Sequence, residues 1–187
     1  ITEVYMTKLN ALCFKYLNGI AFIFFIVAVS FSVKADDLVL SFTDPAWLAS
    51  GIPDGQQCHR FKGVNPQSPE LVIKNIPAEA TAIILEFSDR SLASMNNGGH
   101  GKVGYKIPKG TTEVTIPRIP GHMTELPENF FIVAEHRAPG WDTAGAYLPP
   151  CSGGRGNQYF VDVKAVILSE ADVSNVLAEA SIQMATY

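Results

Sequence analysis

From residue 38 onward the chain is a series of short apolar or alternating runs, cut apart by proline and glycine. Runs at 38–42 (LVLSF), 71–74 (LVIK), 112–117 (TEVTIP), 129–135 (NFFIVAE) and 158–168 (QYFVDVKAVIL) are rich in β-formers. The run 80–87, ATAIILEF, is apolar enough for a strand buried on both faces. Breaker clusters at 51–55, 63–69, 96–101, 117–121 and 138–156 separate them. Six strands with irregular loops predict a β-sandwich or related sheet structure. The end of the chain reads differently. Ser169 stands three residues before Asp172, like a capping box, and Val173, Val176, Leu177, Ala180 and Met184 recur at helical spacing. This predicts a C-terminal helix packed on the sheet, so the fold class is mainly β with one helix.

The first 35 residues follow another pattern. Lys8 and Lys15 precede an almost unbroken apolar run from Ile20 to Val33, and Val33-Lys34-Ala35 then leads into Asp36-Asp37. This is the order of a secretory signal peptide, with cleavage expected after Ala35. Met6 reads as its start and residues 1–5 as an upstream extension. The run is shorter than the about 20 residues of a spanning helix. Membrane attachment is therefore expected only if this segment stays uncleaved. Cys13 precedes the apolar run, whereas a lipidated cysteine follows one. Residues 36–187 then form a single domain, which the reading places outside the cytoplasm, in the periplasm for a bacterium.

Composition narrows the classes further. At 47% hydrophobic and 10% aromatic the chain has ample apolar surface to bury, which excludes disorder as its main state. Its net charge of −4, without a basic block, makes it a poor nucleic-acid ligand. Beyond the leader two cysteines remain, Cys58 and Cys151, and in an exported chain they are expected to pair. The alternative is two separate buried thiols. Catalytic signatures are missing: there is no G-x-S-x-G elbow and no H-E-x-x-H. His59, His122 and His136 have no metal-ligand spacing and read as solvated loop or strand-end histidines. Neither a metal nor a cofactor is expected.

Several segments nevertheless match one family in order. Residues 63–71, GVNPQSPEL, are similar to a G-x-N-x-S-P-x-L stretch with one extra residue. Ile76-Pro77-Ala78 follows, like the V-P-A before the family's central strand, and Ile83 to Asp89 lies where a strand runs into D-P-D-x-P. His100, with Val103, Tyr105, Ile107 and Pro108, resembles H-W-V-V-Y-N-I-P. Tyr147, Pro149, Pro150 and Cys151 resemble Y-x-G-P-C-P-P, and Gly156-Asn157-Gln158-Tyr159 stands at G-x-H-R-Y. On these motifs the chain resembles the phosphatidylethanolamine-binding protein family, most closely its bacterial YbhB/YbcL, or Raf-kinase-inhibitor-like, branch. The likeness spans residues 36–187.

The resemblance implies a shallow pocket for phosphate-like head groups, built from Asp89, His100, Pro149, Pro150, Asn157 and Tyr159. Departures weaken it. Phe87 and Ser88 replace the first Asp and the Pro of D-P-D, Ser91 replaces its closing Pro, and Asn157 and Gln158 replace a His and an Arg. A histidine gains charge near pH 6–7, whereas an amide donates without charge. Three readings follow. The first is a secreted, non-enzymatic binding protein for a small anion or phosphorylated head group. The second is a protein-interaction or inhibitor module with a vestigial pocket, meeting a partner through the loop from Ala138 to Gly156, where Trp141 and Tyr147 would form one apolar patch; the alternative for these two is that they anchor the loop to the core. The third is a hydrolase using His100 and Asp89, with Ser88, Ser91 or Ser152 as the hydroxyl.

Overall fold

The computed structural model describes residues 37–47, 50–169 and 175–187, all within one compact unit, Ala35–Tyr187. The expected leader, 1–35, and the expected helix start at Asp172 and Val173 lie outside the described residues.

Among the described residues, eight strands form two antiparallel sheets. The smaller sheet has the order β1 (Val39–Phe42), β2 (Leu71–Lys74), β5 (Glu113–Ile116). The larger has the order β6 (Phe130–Ala134), β4 (Lys102–Lys106), β3 (Ala82–Asp89), β7 (Gln158–Val166), β8 (Val176–Thr186). Two short 3-10 turns, His59–Phe61 and Ala93–Met95, interrupt the loops. The predicted strands recur as β1, β2, β3, β5, β6 and β7.

β3 is central, and every one of its residues is buried. Its side chains alternate between two faces. Ile83, Leu85 and Phe87 join Leu71, Ile73 and Ile116 of the smaller sheet in the main core, with Val161, Val163 and Trp47. Each such side chain contributes about 1.5–3 kcal/mol through burial. On the opposite face Ala82 and Ile84 pack under Phe131, Val133 and Leu168. Further along that face Glu86 lies between Lys102 (3.1 Å) and Lys164 (2.7 Å), so its buried charge is compensated twice.

Among the described residues the C-terminal helix is not present: Val176–Thr186 is strand β8, paired with β7 along its length. Of the stripe read at helical spacing, Val176, Ala180 and Met184 also fit period two. Ala178, Ala180, Ile182 and Met184 fall on one face and Glu179, Ser181 and Gln183 on the other. The open edge of β7 decides between the two patterns, because its backbone donors and acceptors need a partner.

Cys58 and Cys151 form a disulfide with Cα atoms 5.2 Å apart, closing a separation of 93 residues. A small second core of Cys58, Met95, Leu148 and Cys151 surrounds it. The Cys58 N–H also donates to the Pro150 carbonyl at 3.0 Å. The middle of the long 138–156 loop is thereby fixed to the segment ahead of β2.

Candidate functional site

The C-terminal end of β3 and the start of β7 meet in register, with Asp89 opposite Tyr159. A bulge between Tyr159 and Phe160 in the β7–β8 pairing lies at the same place. Bulges of this kind re-aim side chains next to sites. Four of the residues selected from the sequence, Asp89, His100, Asn157 and Tyr159, converge here, each linked to another or to the loop behind it.

Asp89 uses both carboxyl oxygens: Oδ1 accepts the Ser91 N–H at 2.9 Å and Oδ2 accepts the Asn157 side-chain amide at 2.6 Å. The Tyr159 hydroxyl accepts the Cys151 N–H at 3.1 Å, which ties β7 to the disulfide loop. His100 stands edge-on to Tyr159, ring centroids 5.2 Å apart, and its Nδ1 lies 2.8 Å from the Leu148 carbonyl. His100 N–H donates to the Phe87 carbonyl, and the His100 carbonyl accepts from Leu148 N–H. The imidazole is therefore held between the end of β3 and the 147–150 segment.

Glycine makes this placement sterically feasible. Gly101 has φ +114°, and a Cβ there would sit 1.8 Å from the Ala146 carbonyl oxygen. The sequence suggested loop flexibility beside His100. Here the glycines allow close packing instead.

Pro149 and Pro150 are buried. The 149–150 segment backs His100 and, through the Pro150 carbonyl, Cys58. Asp89, His100 and Tyr159 are each no more than 3% exposed, and Asn157 is half-buried. Ser152, offered from the sequence only as a hydrolytic hydroxyl, and Tyr147, named there only for the loop, belong beside the cluster. The Ser152 hydroxyl donates to the Tyr187 carbonyl. Tyr147, fully buried against Phe87 with centroids 4.5 Å apart, has a hydroxyl without a hydrogen-bond partner. Such an orphan in a native interior is uncommon. Composition around Tyr147 gave no signal that its hydroxyl would be left inside.

Burial sets the electrostatics. Removal from water lowers His100 to about 4, against the smaller opposing pulls of the Leu148 carbonyl and Asp89. The sequence reading that this imidazole charges near pH 6–7 is corrected: at neutral pH it is uncharged. Burial likewise pushes Tyr159 up to about 12 and Tyr147 higher still. Asp89, His100, Asn157 and Tyr159 thus bring no fixed positive charge, only neutral hydrogen-bonding groups beside one carboxyl.

The hydroxyls considered for hydrolysis are engaged elsewhere. Ser88 Oγ donates to Asp162 and accepts the Gly98 N–H; Ser91 Oγ accepts the Gln158 N–H. Trp141 and Tyr147 do not form one surface patch. Tyr147 is in the core, while Trp141 is half-buried under the Arg60 guanidinium, 5.4 Å from the ring centroid. The expectation of solvated histidines also fails for two residues. His122 and His136 are buried, and His136 Nε2 lies 2.8 Å from the Thr143 carbonyl. Larger surface grooves lie away from the cluster. One of about 530 Å³ is bordered by Glu86, Arg90, Asp162 and Lys164, whose charges already pair.

No protein-family model and no curated protein matches the chain. Among solved structures it is similar to Escherichia coli YbcL, described as a member of the mammalian PEBP family. The TM-score is 0.52 at 18% identity, over 81% of this chain and 98% of the other. It is also similar to a phosphatidylethanolamine-binding protein homologue, CT736, of Chlamydia trachomatis, with a TM-score of 0.48 at 20% identity, over 81% and 97% of the two chains. Two antiparallel sheets in this arrangement, over nearly the whole of YbcL, give this chain the fold of the phosphatidylethanolamine-binding proteins.

Proposed function

We propose that the protein is an exported, non-enzymatic binding protein whose site takes a small anion or phosphorylated head group at Asp89, His100, Asn157 and Tyr159. The carrying observation is the convergence of these four residues, distant in sequence, around one buried cluster at the meeting of β3 and β7. With His100 uncharged, binding rests on neutral donors, so affinity is weaker than a site with a charged imidazole or guanidinium would give. The disulfide supports export, because such bonds persist in oxidising compartments.

The test is an NMR titration of the chain from Asp36 to Tyr187 with inorganic phosphate and with phosphoethanolamine. Saturable shifts of the His100 ring are expected at millimolar ligand. Unchanged His100 signals with both overturn the proposal.

One observation favours a second reading, a vestigial pocket in a protein that acts through its surface. Both oxygens of Asp89, the Tyr159 hydroxyl and His100 Nδ1 already have intramolecular partners. If phosphate leaves His100 unmoved while the Asn157→Ala chain loses stability, the cluster is structural and this second reading holds.

A further inference from the structure

Three loops that are far apart in sequence bring His59, His122 and Asp142 together, with one donor atom from each within 4.8 Å of the others. His59 opens the 3-10 turn next to Cys58. His122, after β5, sits at φ 62°. Asp142 belongs to the 138–156 loop. No local ligand motif announces this cluster, since no two of the three are close enough along the chain.

The cluster contains an electrostatic conflict. His122 Nε2 accepts the backbone N–H of His59 at 3.3 Å, so a lone pair points out of the ring on that side. Asp142 Oδ2 stands 3.8 Å from the same nitrogen. That is too long for a hydrogen bond, and with Nε2 unprotonated no proton lies between the two acceptors. The ring proton is then on Nδ1, which is buried without a partner. The side chains of His122 and Asp142 are 3% and 7% exposed, so water does little to screen the pair. Two acceptors at this distance suit a cation between them, provided that it displaces the long His59 N–H contact from the Nε2 lone pair. Ligand atoms about 2.0–2.1 Å from a tetrahedral ion lie roughly 3.4 Å apart.

The remaining contacts make the site rigid on one side and adjustable on the other. Asp142 Oδ1 accepts the Thr143 N–H at 2.7 Å, and Oδ2 accepts the Arg60 N–H at 3.3 Å. The Arg60 guanidinium bonds to the Trp141 carbonyl at 3.2 Å and covers the Trp141 ring, leaving Asp142 uncompensated by it. The disulfide stands beside the cluster, with Cys151 Sγ 3.9 Å from Asp142 Oδ2 and Cys58 next to His59 in the chain. Bonded sulfurs are not ligands, but they hold two of the three loops in place. His59 is exposed, and its ring stacks on His122 at a centroid distance of 4.1 Å. To serve as a third ligand this ring must turn off the stack, which its exposed position allows.

We propose that His59, His122 and Asp142 form a binding site for a divalent transition-metal ion of the zinc or copper class, for which imidazole and carboxylate are suited ligands. The ion clamps the 138–156 loop to the His59 turn and the segment after β5. This proposal does not depend on the anion-binding reading, whose residues are separate.

The test uses the oxidised chain from Asp36 to Tyr187, with zinc chloride and copper sulfate as probes. Calorimetry is expected to give one zinc ion per chain. The copper EPR spectrum is expected to carry hyperfine coupling from two imidazole nitrogens, and NMR to broaden His59 and His122 but not His100. A zinc concentration of 100 times Kd should raise the melting temperature by about 5–10 °C. His59→Ala, at an exposed position, and Asp142→Asn, of the same shape, should each weaken binding at least tenfold with circular dichroism unchanged. No saturable binding at 100 micromolar zinc or copper overturns the proposal, as does binding that survives both substitutions or copper coupled to other histidines.

Discussion

Asn157 donates its side-chain amide to Asp89 across 2.6 Å, although 68 residues separate them. In the family that the sequence resembles, position 157 corresponds to a histidine, and here an amide provides the hydrogen bond. The pair joins the end of β3 to the segment leading into β7. Asn157 also exchanges two backbone hydrogen bonds with Tyr187, at 2.8 and 3.0 Å.

Asn157→Ala should leave Asp89 Oδ2 without its partner in a nearly dry environment. An unsatisfied buried acceptor costs about 1–3 kcal/mol. Urea unfolding at pH 7 is expected to show a lower midpoint with the slope unchanged. An unchanged midpoint would mean that solvent replaces the amide.

His100 makes stability depend on pH. Its folded value of about 4 lies below the ordinary 6.5, so between these limits the unfolded chain binds more protons than the folded one. Stability therefore rises with pH through this window. It is fully present above about 6.5 and lost as pH falls towards 4, by up to about 3 kcal/mol. His100→Gln removes the titrating group and should flatten that part of the profile. Comparing urea midpoints of both chains from pH 4 to 7 isolates the contribution, because the remaining carboxyl groups titrate in both.

Gly101→Ala tests the close approach beside His100. The new methyl would meet the Ala146 carbonyl at 1.8 Å on a backbone with φ +114°, so both the neighbour and the backbone must move. A loss of about 2–4 kcal/mol is expected. The His100 ring signals should shift as well, since that residue, immediately before the glycine, is held to Phe87 and Leu148 through its backbone and its ring. Wild-type stability with unmoved His100 signals would contradict the packing described here.

Loss of the Cys58–Cys151 bond should cost about 2–5 kcal/mol, because it closes a long loop in the unfolded chain. The Cys58→Ser, Cys151→Ser double variant should also be cut faster by protease within 138–156, where the bond fixes an otherwise irregular segment. Limited proteolysis followed by mass spectrometry locates the cut. Cleavage confined to other loops would show that the packing of Leu148 and Met95 holds the segment without the bond.

The sequence by itself determined the strands whose faces it marks. Short runs rich in β-formers, cut apart by proline and glycine, marked β1, β2, β5, β6 and β7, and the continuous apolar run marked β3 as a strand covered on both sides. The pairing of Cys58 with Cys151 was also legible, since beyond the expected leader only these two cysteines remain. Asp89, His100, Asn157 and Tyr159 could be selected by the order of their motifs. β4 was missed because Lys102–Lys106 carries a glycine and two lysines, too weak a local pattern to mark a strand. What the tertiary structure decided was every choice that depends on a distant partner. Val176–Thr186 fits either period, and only the open edge of β7 made it a strand. Tyr147 is in the core rather than on the surface because Phe87 lies behind it. His100 is uncharged because surrounding loops exclude water, a condition its own neighbours in sequence do not encode. His59, His122 and Asp142 meet only once the disulfide and the sheets have set three loops side by side. A local pattern records which face of a segment is apolar; which segment covers that face, and which polar atoms are thereby cut off from water, is fixed by contacts between residues far apart in the chain.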